Sequence, residues 1–443
     1  MSSTGLGEAV LDLRVTTGWA IAVFVVVTST GLLVLAARRH RRWLRVGLAT
    51  AVAGAVATVA LAAVIIEKVW QPFPDSLPAV VYVWSGAGVL ALTLLAGRWS
   101  VRGRDRLRPF VAVGLAGVAL AVVICAAGGI NAVYDEYPTM GAALGHDDYR
   151  IVPFDAALAP KAAPEERVPL SEWAPPKDLP RTGAVTQTSI PATVSGFSAR
   201  AARIYLPPAY FADPRPDLPV LVLLAGQPGS TEDWLVGGRL TQTMDAYAAD
   251  HRGLTPIVVL ADGTGGWMDD PLCVDSPLGN AATYLGVDVP NWIRANLQVD
   301  PDPRAWAVGG LSYGGTCALQ LATTRPEVYP TFIDMSGQAE PVHEDRPSTI
   351  RGVFGGDAEA FARNNPADLL ARHRYPGSAG AFVVGTDDAE SHRATRQLVT
   401  AARAAGVDVH LTELPGGHTF EVWSAGLEKE IPWLGRRLGI DAS

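Results

Sequence analysis

Gly310-Leu311-Ser312-Tyr313-Gly314 is the stretch from which the rest of the chain can be read. It follows the apolar run 305–309 and precedes the helix-like run 316–324. A strand should therefore feed a sharp turn and leave as a helix, with the Ser312 hydroxyl held out at the top of a sheet. Geometry demands the two glycines. A serine in such a turn has a strained backbone, and the residues two before and two after it must be small for strand and helix to close up. A bare G-x-S-x-G is common, and a plain Gly/Ser loop is the alternative; the flanking strand and helix patterns favour the nucleophile turn.

Serine is a poor nucleophile at neutral pH, so Ser312 needs a base, and the base needs a partner to fix its tautomer. With this turn the three come in the order Ser, acid, His. Five histidines follow it: His343, His373, His392, His410 and His418. His410 lies in a strand pattern and His392 in a helix pattern, which suits structural or solvated roles. His418 directly follows the last strand pattern in Leu414-Pro415-Gly416-Gly417-His418 and is the expected base.

For the acid, the apolar run 381–385 leads into Thr386-Asp387-Asp388. A carboxylate leaving the carboxyl end of a strand there is well placed to orient the histidine. Asp388 is favoured and Asp387 stays open, the loser being read as the N-cap of the helix that follows. Asp334 is a more distant candidate. Two backbone N–H groups should face the developing oxyanion, those of Tyr313 and Gln227. Gln227 lies in Ala225-Gly226-Gln227-Pro228-Gly229-Ser230, where Pro228 has no N–H to give. Asp233 and Trp234 just beyond are candidates for lining a pocket, with a packed Trp234 as the alternative.

The 443 residues are not uniform in composition. Residues 1–150 carry 13 Lys and Arg against 9 Asp and Glu, leaving 23 against 35 in the remainder of a chain with 36 and 44 in all. An acidic second half argues against nucleic acid as a partner. In the first half, four segments, 17–37, 46–66, 79–97 and 109–133, are nearly free of charge. Each is about the ~20 residues a helix needs to cross a bilayer core. A cleaved leader is not expected, because Glu8 and Asp12 precede the first segment with only Arg14.

The connecting loops orient the spans. Arg38, Arg39, Arg41, Arg42 and Arg45 lie between the first two, and Arg98, Arg102, Arg104, Arg106 and Arg108 between the last two, whereas residues 67–78 hold only Lys68. By the positive-inside rule both Arg-rich loops are cytoplasmic, so both termini and the second half face outward. Tyr134, Asp135, Glu136 and Tyr137 fall at the outer interface and read as a surface anchor.

The expected organisation is a four-span membrane domain at 1–140, an Ala/Pro-rich linker at 141–185 and an α/β domain at 186–443. The linker reading rests on stretches such as Lys161-Ala162-Ala163-Pro164 and Pro175-Pro176-Lys177. Beyond it, strand patterns at 202–206, 220–224, 257–261, 305–309, 331–335, 381–385 and 407–414 alternate with helix patterns at 240–249, 289–297, 316–324, 389–405 and 419–438. Strands apolar throughout suit a mostly parallel sheet covered on both faces, the α/β-hydrolase kind. Of three cysteines, Cys125 lies in the fourth span and reads as packing. Cys273 and Cys317 belong to the outward half, where a disulfide can form; Cys317 packing alone is the alternative.

Gly310-Leu311-Ser312-Tyr313-Gly314-Gly315, Gly385-Thr386-Asp387-Asp388 and Pro415-Gly416-Gly417-His418-Thr419-Phe420 together resemble the esterase family that includes esterase D, bacterial feruloyl esterases and the mycobacterial mycolyltransferases. The resemblance covers about residues 186–440. It implies a triad of Ser312, Asp388 and His418, with Gln227 and Tyr313 as the oxyanion donors. One departure is Ala225-Gly226 where the family usually has His-Gly, which leaves the backbone donor intact. The loop 262–277 should cross near the site.

Four spans exceed what a tether requires, which points to a substrate in or near the bilayer. The expected activity is an extracytoplasmic, membrane-anchored serine esterase acting through an acyl-enzyme on a lipid or envelope ester such as aminoacyl-phosphatidylglycerol. Two alternatives are mycolyltransferase-like transfer to a sugar and a catalytically silent envelope sensor or scaffold. No C-x-x-C or His/Cys cluster suggests a metal, and no cofactor is expected.

Overall fold

The computed structural model describes residues 7, 9–37, 43–70, 76–100, 109–146, 148–160 and 168–440. Two compact units meet in the chain between His146 and Asp147. The first consists of four helices, α1 (Gly18–Ala36), α2 (Trp43–Trp70), α3 (Ala79–Ser100) and α4 (Pro109–Tyr134). All four are long and apolar enough to cross a membrane, with mean hydropathy of 1.9 to 2.7. α4 packs on α1 and α3, and α2 packs on α3.

Small residues let the helices approach: Gly128 lies against the Phe24 ring and Gly129 against Trp84. The outward faces are apolar, with Leu33 70% and Val113 72% exposed. That surface is unfavourable in water and ordinary in hydrocarbon. The last carbonyls of α1 are satisfied by side chains. Arg98 donates to Leu35, Val34 and Ala37 carbonyls at 2.6, 2.7 and 2.6 Å, and Trp43 Nε1 donates to Ala36 at 2.8 Å.

Before α1 and after α4 the chain pairs with itself, Val15 N–H donating to Pro138 at 3.0 Å and Met140 N–H to Leu13 at 2.9 Å. That pairing is what an even number of crossings would require. Of the arginines used to orient the spans, only Arg45 and Arg98 fall among the described residues; Arg38, Arg39, Arg41, Arg42, Arg102, Arg104, Arg106 and Arg108 lie outside them.

The second unit is an α/β-hydrolase fold. Its strands are β1 (Ala184–Thr188), β2 (Ala202–Leu206), β3 (Val220–Leu224), β4 (Ile257–Leu260), β7 (Trp306–Leu311), β8 (Thr331–Met335), β9 (Ala379–Gly385) and β10 (Asp408–Leu414); β5 (Asp275–Ser276) and β6 (Gly279–Asn280) form a separate hairpin. The eight run in the order β1-β2-β4-β3-β7-β8-β9-β10. β1, β2 and β4 pair antiparallel, and every later pair is parallel. Five strands are buried along their whole length, β3, β4, β7, β8 and β9, as strands covered on both faces should be.

The longer helices are α5 (Leu240–Asp250), α6 (Val289–Asn296), α7 (Tyr313–Thr324), α8 (Ala389–Ala404) and α9 (Phe420–Arg437). α7 packs on β3, β7 and β8, α8 on β9 and β10, and α9 on β8 to β10. Three short helices between β8 and β9, Arg346–Gly352, Ala358–Ala362 and Pro366–Arg372, fell outside the sequence reading. Seven or fewer residues give too little periodicity to detect.

The expected linker is not a free spacer where the structure describes it. Val152 N–H donates to Val185 at 2.9 Å and Val185 N–H to Arg150 at 2.8 Å. Leu158 and Trp173 are buried in the core of the second unit, and Trp173 Nε1 donates to Arg252 at 3.2 Å. Proline-rich chain loses little conformational entropy when it is laid along a surface, so a few apolar anchors suffice to hold it. Residues 161–167, which include the Lys161 to Pro164 stretch, lie outside the described residues.

Asp334 in β8 is 1% exposed. Its Oδ1 accepts from Gly337 N–H at 2.9 Å, and its Oδ2 has no hydrogen-bond partner among the described residues. Burial raises its pKa to about 7 against the opposing pull of that one hydrogen bond. An unfolded aspartate titrates near ~3.9. Between the two values the folded chain keeps a proton that the unfolded chain has released, so stability falls as pH rises from about 4 to about 7. Asp334→Asn should melt with the wild type near pH 4 and above it at pH 8, as thermal unfolding in detergent would read.

Candidate active site

Ser312 sits between β7 and α7 with φ +53°, a left-handed value rare for a residue with a side chain. Its N–H donates to Met335 at 2.8 Å. A Cβ on Gly310 would overlap the Gly314 backbone, and one on Gly314 would overlap the Leu224 carbonyl. The turn therefore closes only because both positions are bare. α7 begins at Tyr313, three residues before the helix read from the sequence, since the helix grows directly out of the turn.

The loops after β9 and β10 converge on the serine. His418 Nε2 lies 2.9 Å from Ser312 Oγ, and His418 Nδ1 donates to Asp388 Oδ2 at 2.7 Å. The Trp423 ring meets His418 edge-on at 4.8 Å and fixes its plane. Asp388 is 8% exposed. Burial alone would raise its pKa, but hydrogen bonds from His418 and Ser391 outweigh it and hold the carboxyl below the usual carboxylate value.

The two aspartates differ in placement. Asp387 is exposed and its N–H is spent on Gly416 at 2.8 Å. Asp388 also caps α8, accepting from Ser391 N–H at 3.2 Å. Cap and histidine partner, expected on different residues, are one carboxylate, because its two oxygens face different ways. Asp334 has its hydrogen bond to Gly337 instead.

Gly226 brings the loop after β3 onto the nucleophile: a Cβ there would stand 3.5 Å from Ser312 Cβ. Gln227 follows, its side chain donating to Met268 at 2.9 Å. Trp234 does not line the site; it is fully buried, with Nε1 donating to Leu224 at 2.8 Å. Asp233 is equally occupied, accepting from Ser230 N–H and Oγ at 2.8 Å each.

The loop after β4 proves to be the brace of the site. Tyr313 Oη donates to Gly263 at 2.9 Å and accepts from Cys273 N–H at 3.0 Å. Cys273 and Cys317 form a disulfide that ties this loop to α7, one helical turn past Ser312. The carbonyl of Trp267 accepts from Gly229 N–H at 3.1 Å. Arg200 completes the frame, donating to Gly229 at 2.9 Å, to Thr264 Oγ1 at 2.7 Å and twice to Asp262. Nothing in the spacing of Arg200 and Asp262 marks them, since they lie 62 residues apart. Three of the other candidate histidines have structural partners: His392 pairs with Glu413 and His410 with Glu430, each at 2.6 Å, and His343 with Asp270 at 3.5 Å.

Residues 198–434 match the family described as Putative esterase. An uncharacterized protein of Corynebacterium glutamicum is 37% identical over 431 residues, covering 95% of each chain. A diacylglycerol acyltransferase/mycolyltransferase of Mycobacterium tuberculosis is 28% identical over 188 residues, which is 35% of this chain and 55% of that protein. The match thus spans about half of that relative. A solved ferulic acid esterase superposes with a TM-score of 0.50 at 21% identity, covering 58% of this chain and 99% of its own, a likeness of fold.

Asp262 is 2% exposed; burial would raise its pKa, but the hydrogen bonds and charge of Arg200, helped by the Thr264 N–H, outweigh it and keep the carboxyl below the usual value. Arg200→Ala strands that charge and should cost about 3 kcal/mol of stability. A lower thermal midpoint, partly restored in the Arg200→Ala/Asp262→Ala pair, is the expected reading.

Proposed function

The chain belongs to this esterase family and is a serine ester hydrolase, and from that premise we propose that Ser312, His418 and Asp388 are its catalytic triad. The observation that carries it is the unbroken line from Ser312 Oγ to His418 at 2.9 Å and from His418 to Asp388 at 2.7 Å. Ser312 Oγ attacks the ester carbonyl while His418 Nε2 takes its proton. The N–H groups of Tyr313 and Gln227 receive the oxyanion, each worth about 3 kcal/mol of barrier. The tetrahedral species breaks its bond to the alcohol, which leaves with the proton from His418. Water or a hydroxyl of a second substrate then gives its proton to His418, attacks the acyl-enzyme and releases the acid or the new ester together with free Ser312.

The four apolar helices favour a lipid or cell-envelope ester. Two arrangements of such an ester fit the chemistry. In aminoacyl-phosphatidylglycerol the apolar chains belong to the alcohol; in a mycolyl or similar long-chain ester they belong to the acyl group. The diacylglycerol acyltransferase/mycolyltransferase of Mycobacterium tuberculosis supports the second; in that version a sugar hydroxyl would stand in for water. An outward-facing catalytic unit is supported by the arginine distribution and by the Cys273–Cys317 disulfide, which suits an oxidising compartment.

A fluorophosphonate probe should label the wild type in detergent at neutral pH and leave Ser312→Ala unlabelled; an unlabelled wild type would overturn the enzyme reading. Asn caps a helix as well as Asp does, so Asp388→Asn isolates the histidine contact. It should lower turnover by about 10⁴-fold with little loss of stability, while Asp387→Asn leaves both intact. Membranes of a host expressing wild type or Ser312→Ala, compared by lipid mass spectrometry, should differ in one ester-linked class. Identical profiles would move the substrate away from membrane lipids.

A further inference from the structure

The reaction centre is flanked unequally. In the strand order β4-β3-β7-β8-β9-β10, the nucleophile strand β7 has β3 and β4 on one side and β8 to β10 on the other. His418 follows β10 and hands its proton to the departing alcohol, so the alcohol lies towards β8 to β10. The acyl group is left the side away from His418, over the loops that follow β3 and β4.

That side carries an unusual surface. Among the described residues of the second unit, four large apolar side chains are more than a third exposed: Ile151, Val194, Trp267 and Leu278. Three of them stand on segments knit together there. The Phe197 ring packs where a Cβ on Gly265 or Gly279 would stand, 3.3 and 2.9 Å away, which joins the 194–198 segment to both neighbours. Asn280 Nδ2 donates to Ser195 at 2.7 Å, and Asp288 accepts from the Val194 and Ser195 N–H groups at 2.9 Å each. Trp267, 63% exposed, is one hydrogen bond from the Gly229 turn.

These segments cannot simply fold inward to hide their side chains. Tyr313, the disulfide and the Asp288 bonds hold them, so the apolar surface is present before any ligand arrives. Apolar side chains left in water forgo the gain of burial, which a chain-like hydrocarbon laid across the rim would recover. The rim is also continuous with the reaction centre through Gly229 and Gln227.

We propose that Trp267, Leu278 and Val194 form the rim that binds an apolar, chain-like acyl group of the ester, so that specificity is set on the acyl side. This rests on the serine-esterase reading and assigns the apolar end of the substrate, which that reading leaves open. It favours a long-chain acyl donor over an ester whose chains sit on the alcohol.

The test uses the full chain at one fixed detergent concentration, with p-nitrophenyl acetate and p-nitrophenyl octanoate sharing a leaving group. The wild type should prefer the octanoate. Trp267→Ala and Leu278→Ser should each lower the octanoate-to-acetate ratio of kcat/KM by roughly tenfold, mainly through KM, and Trp267→Phe should restore most of it. Equal falls on both esters would show that the residues only brace the loop, and no change would show that the rim is unused; either result overturns the proposal. So would a loss confined to octyl acetate, which places the chain on the alcohol side. Fluorophosphonate labelling separates the failures: a labelled wild type without a chain-length effect sinks the rim alone, and an unlabelled one sinks the esterase reading with it.

Discussion

Everything at the reaction centre depends on how closely the backbone passes itself at Ser312. The serine holds φ +53°, and Gly310, Gly314 and Gly226 each lie where a side chain would strike backbone or its neighbour. That contact fixes the separation of β7 from α7 and puts the loop after β3 against the nucleophile. Once it is set, the loops after β9 and β10 need only reach across two strands of a parallel sheet to bring Asp388 and His418 into line. A strained residue costs of order 1–3 kcal/mol and persists only where its surroundings over-determine it. Here they do so through Met335, which accepts from the Ser312 N–H, and through the fully buried first turns of α7.

Around this turn lies a second layer of side-chain contacts that limits how far the first can move. Arg200 spans the Gly229 turn and Asp262, Tyr313 spans Gly263 and Cys273, and the disulfide returns the loop to α7. The links form a closed circuit, so displacement of one loop is resisted by the rest. Hydrogen-bond donors held this way need no reorganisation when charge develops on an ester oxygen, which is where electrostatic catalysis draws its advantage over water.

Much of this was legible in the sequence, for identifiable reasons. Strands β3, β4, β7 and β9 are continuous apolar runs because both faces are covered, and the order of Ser312, Asp388 and His418 follows from the succession of loops at one edge of the sheet. The four long helices announced themselves by length and lack of charge. What stayed hidden depends on pairing across the chain. β1 was lost in a proline-rich lead that looks like a spacer, because its pairing with β2 has no local signature. Trp234 was open between pocket and core, since an indole serves either. Asp388 could not be seen to cap and to orient at once, because a sequence shows one carboxylate and not its two oxygens. Arg200 carried no motif at all.

The disulfide has a consequence beyond its own two residues. Cys273 and Cys317 are 44 residues apart and lie on either side of β7 in the chain, so the bond ties the loop after β4 to the helix that carries the Ser312 turn. A chain still in a reducing compartment would hold its serine, histidine and aspartate with one link of the circuit open. On the outward-facing reading proposed above, completing that circuit and crossing the membrane would be joined in one event.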